Sequence, residues 1–118
     1  MSGVRRFLQS MQFAWRGFAY VWRSEQNFRI QLCAMMVALL LAWVFGVRTW
    51  EWMLIVLAGG SVLVLECINS GVERLVDLVQ PRLHGYVREI KDIMAAAVLI
   101  ASVVALAIGI IIFLPHVW

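Results

Sequence analysis

Charge is scarce in this chain. Its 118 residues include 10 Lys or Arg and 7 Asp or Glu, only 14% in all. A soluble domain carries about 25%, so an ordinary water-facing surface cannot be built from this composition. Cysteine is scarce too. Cys33 and Cys67 both sit in apolar runs, with no CxxC or Cys/His spacing. That excludes a disulfide framework and a zinc site, and leaves two small hydrophobes. The only prolines are Pro81 and Pro115, so long stretches have no helix breaker. No GxxxxGK[ST], GxGxxG, HRD or DFG pattern occurs, so no soluble nucleotide-binding fold is expected.

What fills the space is apolar. Such residues make up 64% of the chain against a usual ~45–50%, and the excess points to lipid as solvent. The length allows one domain, residues 1–118. The net charge of +3 is modest, and no nucleic-acid partner is expected. Arg5 and Arg6 lie near the start, but no apolar core follows directly, so the segment does not read as a signal peptide.

Residues 4–23 repeat at helical spacing. Val4, Phe7, Leu8, Met11, Trp15, Phe18 and Trp22 form one stripe, and Arg5, Arg6, Gln9, Gln12, Arg16 and Arg23 occupy the rest. A basic amphipathic helix with Trp and Phe suits a membrane interface. The plainer alternative is a helix packed on a partner. Ser24 is placed to cap the next helix, with Glu25 in its first turn. An apolar span then covers 30–47, and Gly46 to Glu51 makes a tight turn. Trp50 and Trp52 suit interfacial anchors. The second span covers 52–79, about 42 Å as a helix, so one end should project beyond a ~30 Å hydrocarbon core. Pro81 helps to end it, and 80–88 is a polar loop with His84-Gly85-Tyr86 at its middle. Arg88 to Asp92 opens the last helix, whose span covers 93–114 without a charge. The expected fold is an all-α integral membrane protein, with an interfacial helix and three spans.

Basic residues set the orientation. Arg5, Arg6, Arg16, Arg23, Arg29, Arg74, Arg82, Arg88 and Lys91 fall on one side, and Arg48 alone on the other. The positive-inside rule puts the N-terminus in the cytoplasm.

One stretch breaks the apolar pattern inside a span. Glu66, Asn69, Glu73 and Asp77 have offsets of 3, 7 and 11 from the first, which places them in a row on one helical face. Acids on a membrane helix are costly to keep. A buried structural network is the bland explanation, and a functional site the sharper one. Glu66 lies about 21 Å of rise beyond Trp52, in the inner leaflet, while Glu73 reaches the boundary and Asp77 the water. Glu25 and Lys91-Asp92 converge on the same level. Such a layout suits a reaction between a soluble anion and a lipid headgroup. Glu25 and Glu73 can hold a Mg²⁺ that also binds phosphate oxygens. Lys91 can neutralise phosphate charge, Glu66 can accept a proton from an alcohol, and Asn69 can orient either reactant. Gly59-Gly60, deep in the second span, suits close helix packing.

These residues resemble the small bacterial membrane lipid kinases, the diacylglycerol kinase/undecaprenol kinase family. The likeness runs from about Phe13 to Pro115. It rests on Glu25-Gln26-Asn27-Phe28-Arg29, on Glu66 to Glu73 with Val76-Asp77, and on Lys91-Asp92 followed by Ala95-Ala96-Ala97-Val98. Gly71, where Ala is usual, Met94-Ala95 and the His84-Gly85-Tyr86 loop depart from the pattern. The resemblance implies transfer of the γ-phosphate of ATP, with Mg²⁺, to a lipid hydroxyl at the inner membrane. It implies Glu66 as general base and, with Asn69, substrate-binding residue, and Glu25 and Glu73 as metal ligands. Arg6, Arg16, Glu25, Glu73, Asp77, Lys91 and Asp92 would line the nucleotide site. It also implies a homotrimer with sites shared between subunits. The Asn27 to Ile30 run, Glu51-Trp52 and Phe113-Leu114-Pro115 look closer to the undecaprenol branch, and diacylglycerol is the alternative substrate. A channel subunit would need polar residues at every depth, and a scaffold would leave the acidic row unexplained.

Overall fold

A computed structural model describes every residue except Met1, Gln80, Pro81 and Leu83, with the side chain of His84 also outside the description. Four helices follow one another: α1 (Gly3–Ser24), α2 (Gln26–Phe45), α3 (Thr49–Asp77) and α4 (His84–Val117). No strand occurs among the described residues. Helices α2, α3 and α4 are each long and apolar enough to cross a membrane. Together with α1 they give the expected all-α, multi-pass membrane architecture.

Helix α1 starts where the Ser2 hydroxyl accepts the Arg5 N–H at 3.2 Å, a serine N-cap. Its stripe of Val4, Phe7, Leu8, Met11 and Trp15 is exposed, as an interface helix requires. The expectation that Ser24 caps α2 is not met. Ser24 is the last residue of α1, and its hydroxyl donates back to the Tyr20 carbonyl at 2.7 Å. Glu25 is the break, in extended conformation, and serves as N-cap of α2 without a side-chain cap bond. Consequently α2 begins at Gln26, four residues ahead of the apolar span. Phe28 gives the reason: it is 1% exposed, and burying it requires the polar first turn to be helical already.

At the other end Gly46 takes the left-handed conformation, φ 62°, which suits a glycine just past a helix. Val47 therefore leaves the helix, against expectation, and donates its N–H to the Ala42 carbonyl while its side chain is buried. The Arg48 N–H donates to Glu51 Oε1 at 2.9 Å, so α3 starts at Thr49 rather than Trp52. Trp50 is exposed, but Trp52 packs on the cluster of Ala42, Val47, Ile55 and Ile112 that closes this end of the bundle.

Helix α3 has 29 residues, about 44 Å. It exceeds a ~30 Å apolar layer, as its composition implied. It stops at Asp77, short of the expected 79, and the Pro81 expectation falls outside the described residues. The expected loop at 80–88 is shorter than supposed, because α4 is already helical from His84. Pro115 lies within the last turn of α4, where few hydrogen bonds remain to be lost. Helix α4 packs along α3 more extensively than any other pair packs, and α2 lies mainly against α3. Gly59 permits that approach, since a Cβ there would run into the Met35 sulfur.

Candidate active site

The buried stripe of α3 changes character along its length. Ile55 and Val62 come first, then Glu66 and Ser70. Offsets of −11, −4 and +4 from Glu66 keep all four on one face, so the packing face of the helix runs directly into the acidic row. Glu66 and Ser70 are each 3% exposed, the only buried polar side chains among the described residues. A polar group so placed needs a partner. Ser70 finds one across the bundle, where its hydroxyl donates to Glu25 Oε1 at 3.4 Å, a long bond. This contact brings the junction of α1 and α2 onto the inner face of α3.

Glu25 and Glu73 both lie near enough to Glu66 to interact with it electrostatically, and Glu73 acts in the same way on Lys91. Lys91 Nζ is 2.8 Å from Asp77 Oδ1, which ties the end of α3 to the start of α4. Both partners are substantially exposed, so the pair contributes little to stability and remains free to exchange partners. The site thus grades from a buried carboxylate to a solvated ion pair over 11 residues of α3, about 16 Å.

Of the residues expected at the site, Glu25 and Glu73 act on Glu66, and Lys91 pairs with Asp77 at the solvated end of α3. Asn69 and Glu73 are half-buried on the same side of α3. Asp92 is exposed one residue beyond Lys91. Arg6 and Arg16 stand exposed on α1, with the Arg16 guanidinium 5.8 Å from the Phe13 ring centre. Sequence reasoning missed three residues. Ser70 carried a signal, because its offset of four from Glu66 belongs to the same arc. Arg29 donates to the Trp22 and Arg23 carbonyls at 2.7 and 3.1 Å and so caps α1. Arg74 lies with its guanidinium carbon 4.4 Å over the Tyr20 ring. The last two depend on how α1 turns back, which no local pattern encodes.

Three carboxylates so close repel one another, and a cation would relieve them. No cluster of three His, Cys, Asp or Glu side chains able to hold a metal forms among the described residues. Glu25 and Glu73 are the carboxylates that the family resemblance assigns to a metal, and phosphate oxygens and water would supply the remaining positions. That suits Mg²⁺, which keeps waters and binds through one or two carboxylates plus phosphates. The carboxylate oxygens of Glu25 and Glu73 match the donor chemistry of that ion, and the described residues form no complete metal site by themselves.

Comparison with known proteins shows what the chain is similar to. The profile of the prokaryotic diacylglycerol kinase family matches residues 12–113. The chain is 34% identical over 112 residues to undecaprenol kinase of Bacillus subtilis (strain 168), covering 95% of this chain and 91% of the relative. It is 29% identical over 115 residues to diacylglycerol kinase of Escherichia coli (strain K12), covering 98% and 94%. Diacylglycerol kinase of Synechocystis is 30% identical over 109 residues, covering 92% of this chain and 62% of the relative.

Proposed function

The chain belongs to the prokaryotic diacylglycerol kinase family and is a lipid kinase, and on that premise we propose that it transfers the γ-phosphate of ATP to the hydroxyl of a membrane lipid alcohol, with undecaprenol favoured. The observation that carries this reading is the buried Glu66 beside Glu25 and Glu73. Glu66 accepts the proton of the lipid hydroxyl. The alkoxide oxygen forms its bond to the γ-phosphorus as the bond to the leaving ADP oxygen breaks. Asn69 orients the alcohol. Glu25 and Glu73 would hold Mg²⁺, which when bound offsets phosphate charge. Lys91 binds phosphate, Asp92 belongs to the nucleotide site, Asp77 holds Lys91, and Arg6 and Arg16 close over the nucleotide from α1. Glu66 lies deep and Lys91 lies near water, which supports a lipid approaching from one side and ATP from the other.

A groove of about 670 Å³ between α2 and α4, floored by α3, includes Val62, one turn before Glu66, among its lining residues. It is wide enough for a hydrocarbon chain and supports a lipid substrate without choosing its headgroup. The undecaprenol preference rests on the greater identity to the Bacillus enzyme, 34% against 29%, and diacylglycerol is the second reading. The excess of basic residues at the active-site end supports a cytoplasmic placement of that end. The working unit is a homotrimer in the bacterial inner membrane, and 1–118 form one domain.

The test is phosphate transfer from radiolabelled ATP by the purified protein in detergent, with undecaprenol and diacylglycerol offered side by side. Glu66→Gln should lower kcat at least 100-fold with the helix content unchanged. Glu73→Gln should raise the Mg²⁺ concentration needed, and a chelator should abolish turnover. Full activity of Glu66→Gln sinks the assigned base, and equal transfer to both lipids removes the preference.

A further inference from the structure

Among the described residues, helix α1 meets the bundle near its C-terminal end. Residues 3–18 are exposed, and the contacts gather between Phe18 and Arg23. Three differ in kind. Phe18 meets Phe28 edge-on, with centroids 5.5 Å apart. Arg29 caps the terminal carbonyls. Arg74 lies over the face of Tyr20 at 4.4 Å. The first two hold α1 to the start of α2, its neighbour in the chain. Only the third of these ties it to α3, and the tie comes one residue after Glu73.

The positions of the two partners give the contact a use. Arg74 is rotated about 100° from Glu73 on the helix, so it leaves the acidic row and reaches toward α1. Tyr20 follows Arg16 by four residues, which stacks the two on one face of α1. The contact therefore lies one residue from a carboxylate of the row and one turn from an arginine assigned to the nucleotide site. We propose that Tyr20 and Arg74 form a clasp that fixes the angle of α1 against α3 and so positions Arg16 for the nucleotide. The nucleotide half of this statement rests on the kinase reading above. The clasp does not, because it is a contact of the free protein. Tyr20 and Arg74 are positioning residues. Tyr20 is 37% exposed, and a cation–π pair at such a site shifts an equilibrium about two- to fivefold.

The experiment uses the purified full chain in lipid bilayers, with ATP and a lipid alcohol varied separately. Tyr20→Leu and Arg74→Gln should each raise KM for ATP about two- to fivefold, with kcat and the lipid KM unchanged. The double variant should be no worse than either single one, because the two residues act through one contact. Tyr20→Phe keeps the ring face and should behave as the parent. Trypsin cleavage after Arg16 and Arg23 supplies a second readout that needs no turnover. It should quicken in Tyr20→Leu and Arg74→Gln, and not in Tyr20→Phe. Additive effects, or Tyr20→Phe as poor as Tyr20→Leu, overturn the clasp. Faster cleavage with an unchanged ATP KM overturns the positioning of Arg16. If the parent protein transfers no phosphate, the kinase reading fails, and the cleavage rates alone decide whether the clasp exists.

Discussion

Glu66 occupies a place that Ile55 and Val62 occupy three turns and one turn earlier on the same helical face. A carboxylate 3% exposed there is held against its own desolvation. Ser70 does not relieve it, since that hydroxyl is directed at Glu25. An acid on a packing face carries a desolvation cost of the kind expected at a functional position. A neighbouring pair shows the opposite case, where packing is the whole role. A Cβ at Gly59 would run into the Met35 side chain, while nothing lies near one at Gly60. Gly59→Leu should therefore destabilise the bundle by about 1–3 kcal/mol, and Gly60→Ala should be near neutral. Unfolding in mixed micelles of increasing SDS content measures both. Partial restoration of stability when Met35→Ala is added to Gly59→Leu would tie the effect to that contact.

At the scale of elements, α3 is two helices in one. Its first half is an apolar span and its second half an acidic ramp, joined without a break over 29 residues. The continuity matters, because a rigid helix fixes the depth difference between Glu66 and Asp77. The turn before it shows how such a helix is started. Gly46 reverses the chain in the left-handed region, and the Glu51 carboxylate accepts the Arg48 N–H at 2.9 Å. Gly46→Val should cost about 1–2 kcal/mol, and Glu51→Ala about 1 kcal/mol through loss of the cap. SDS unfolding midpoints would show both losses, with phosphate transfer below the transition retained because this turn lies at the far end from Glu66.

The whole molecule is a bundle whose two ends differ. One carries α1, the carboxylates and Lys91, and the other carries the Ala42, Val47, Ile55 and Ile112 cluster. Its broad exposed apolar flanks, including Met36, Leu40, Trp43, Leu99 and Leu106, need lipid or further subunits to cover them. The cytoplasmic placement proposed for the α1 end makes a direct prediction. With Cys33 and Cys67 replaced by alanine, a membrane-impermeant maleimide added to intact cells should label Trp118→Cys and leave Ser10→Cys unlabelled until the membrane is opened. The reverse pattern would invert the orientation.

Some of this protein was legible in its residues alone. The three spans, the amphipathic α1 and the row from Glu66 to Asp77 follow from the order of apolar and polar groups along a helix, and that order is local. Helix ends were less legible. Ser24 and Val47 satisfied local rules, yet packing of Phe28 and Val47 decided where α2 starts and stops. The meeting of Glu25 with Ser70, of Lys91 with Asp77 and of Arg74 with Tyr20 was decided only by the tertiary structure. The reason is geometric: the 3.6-residue repeat fixes which side chains share a face, and only contact between helices fixes which way each face is turned.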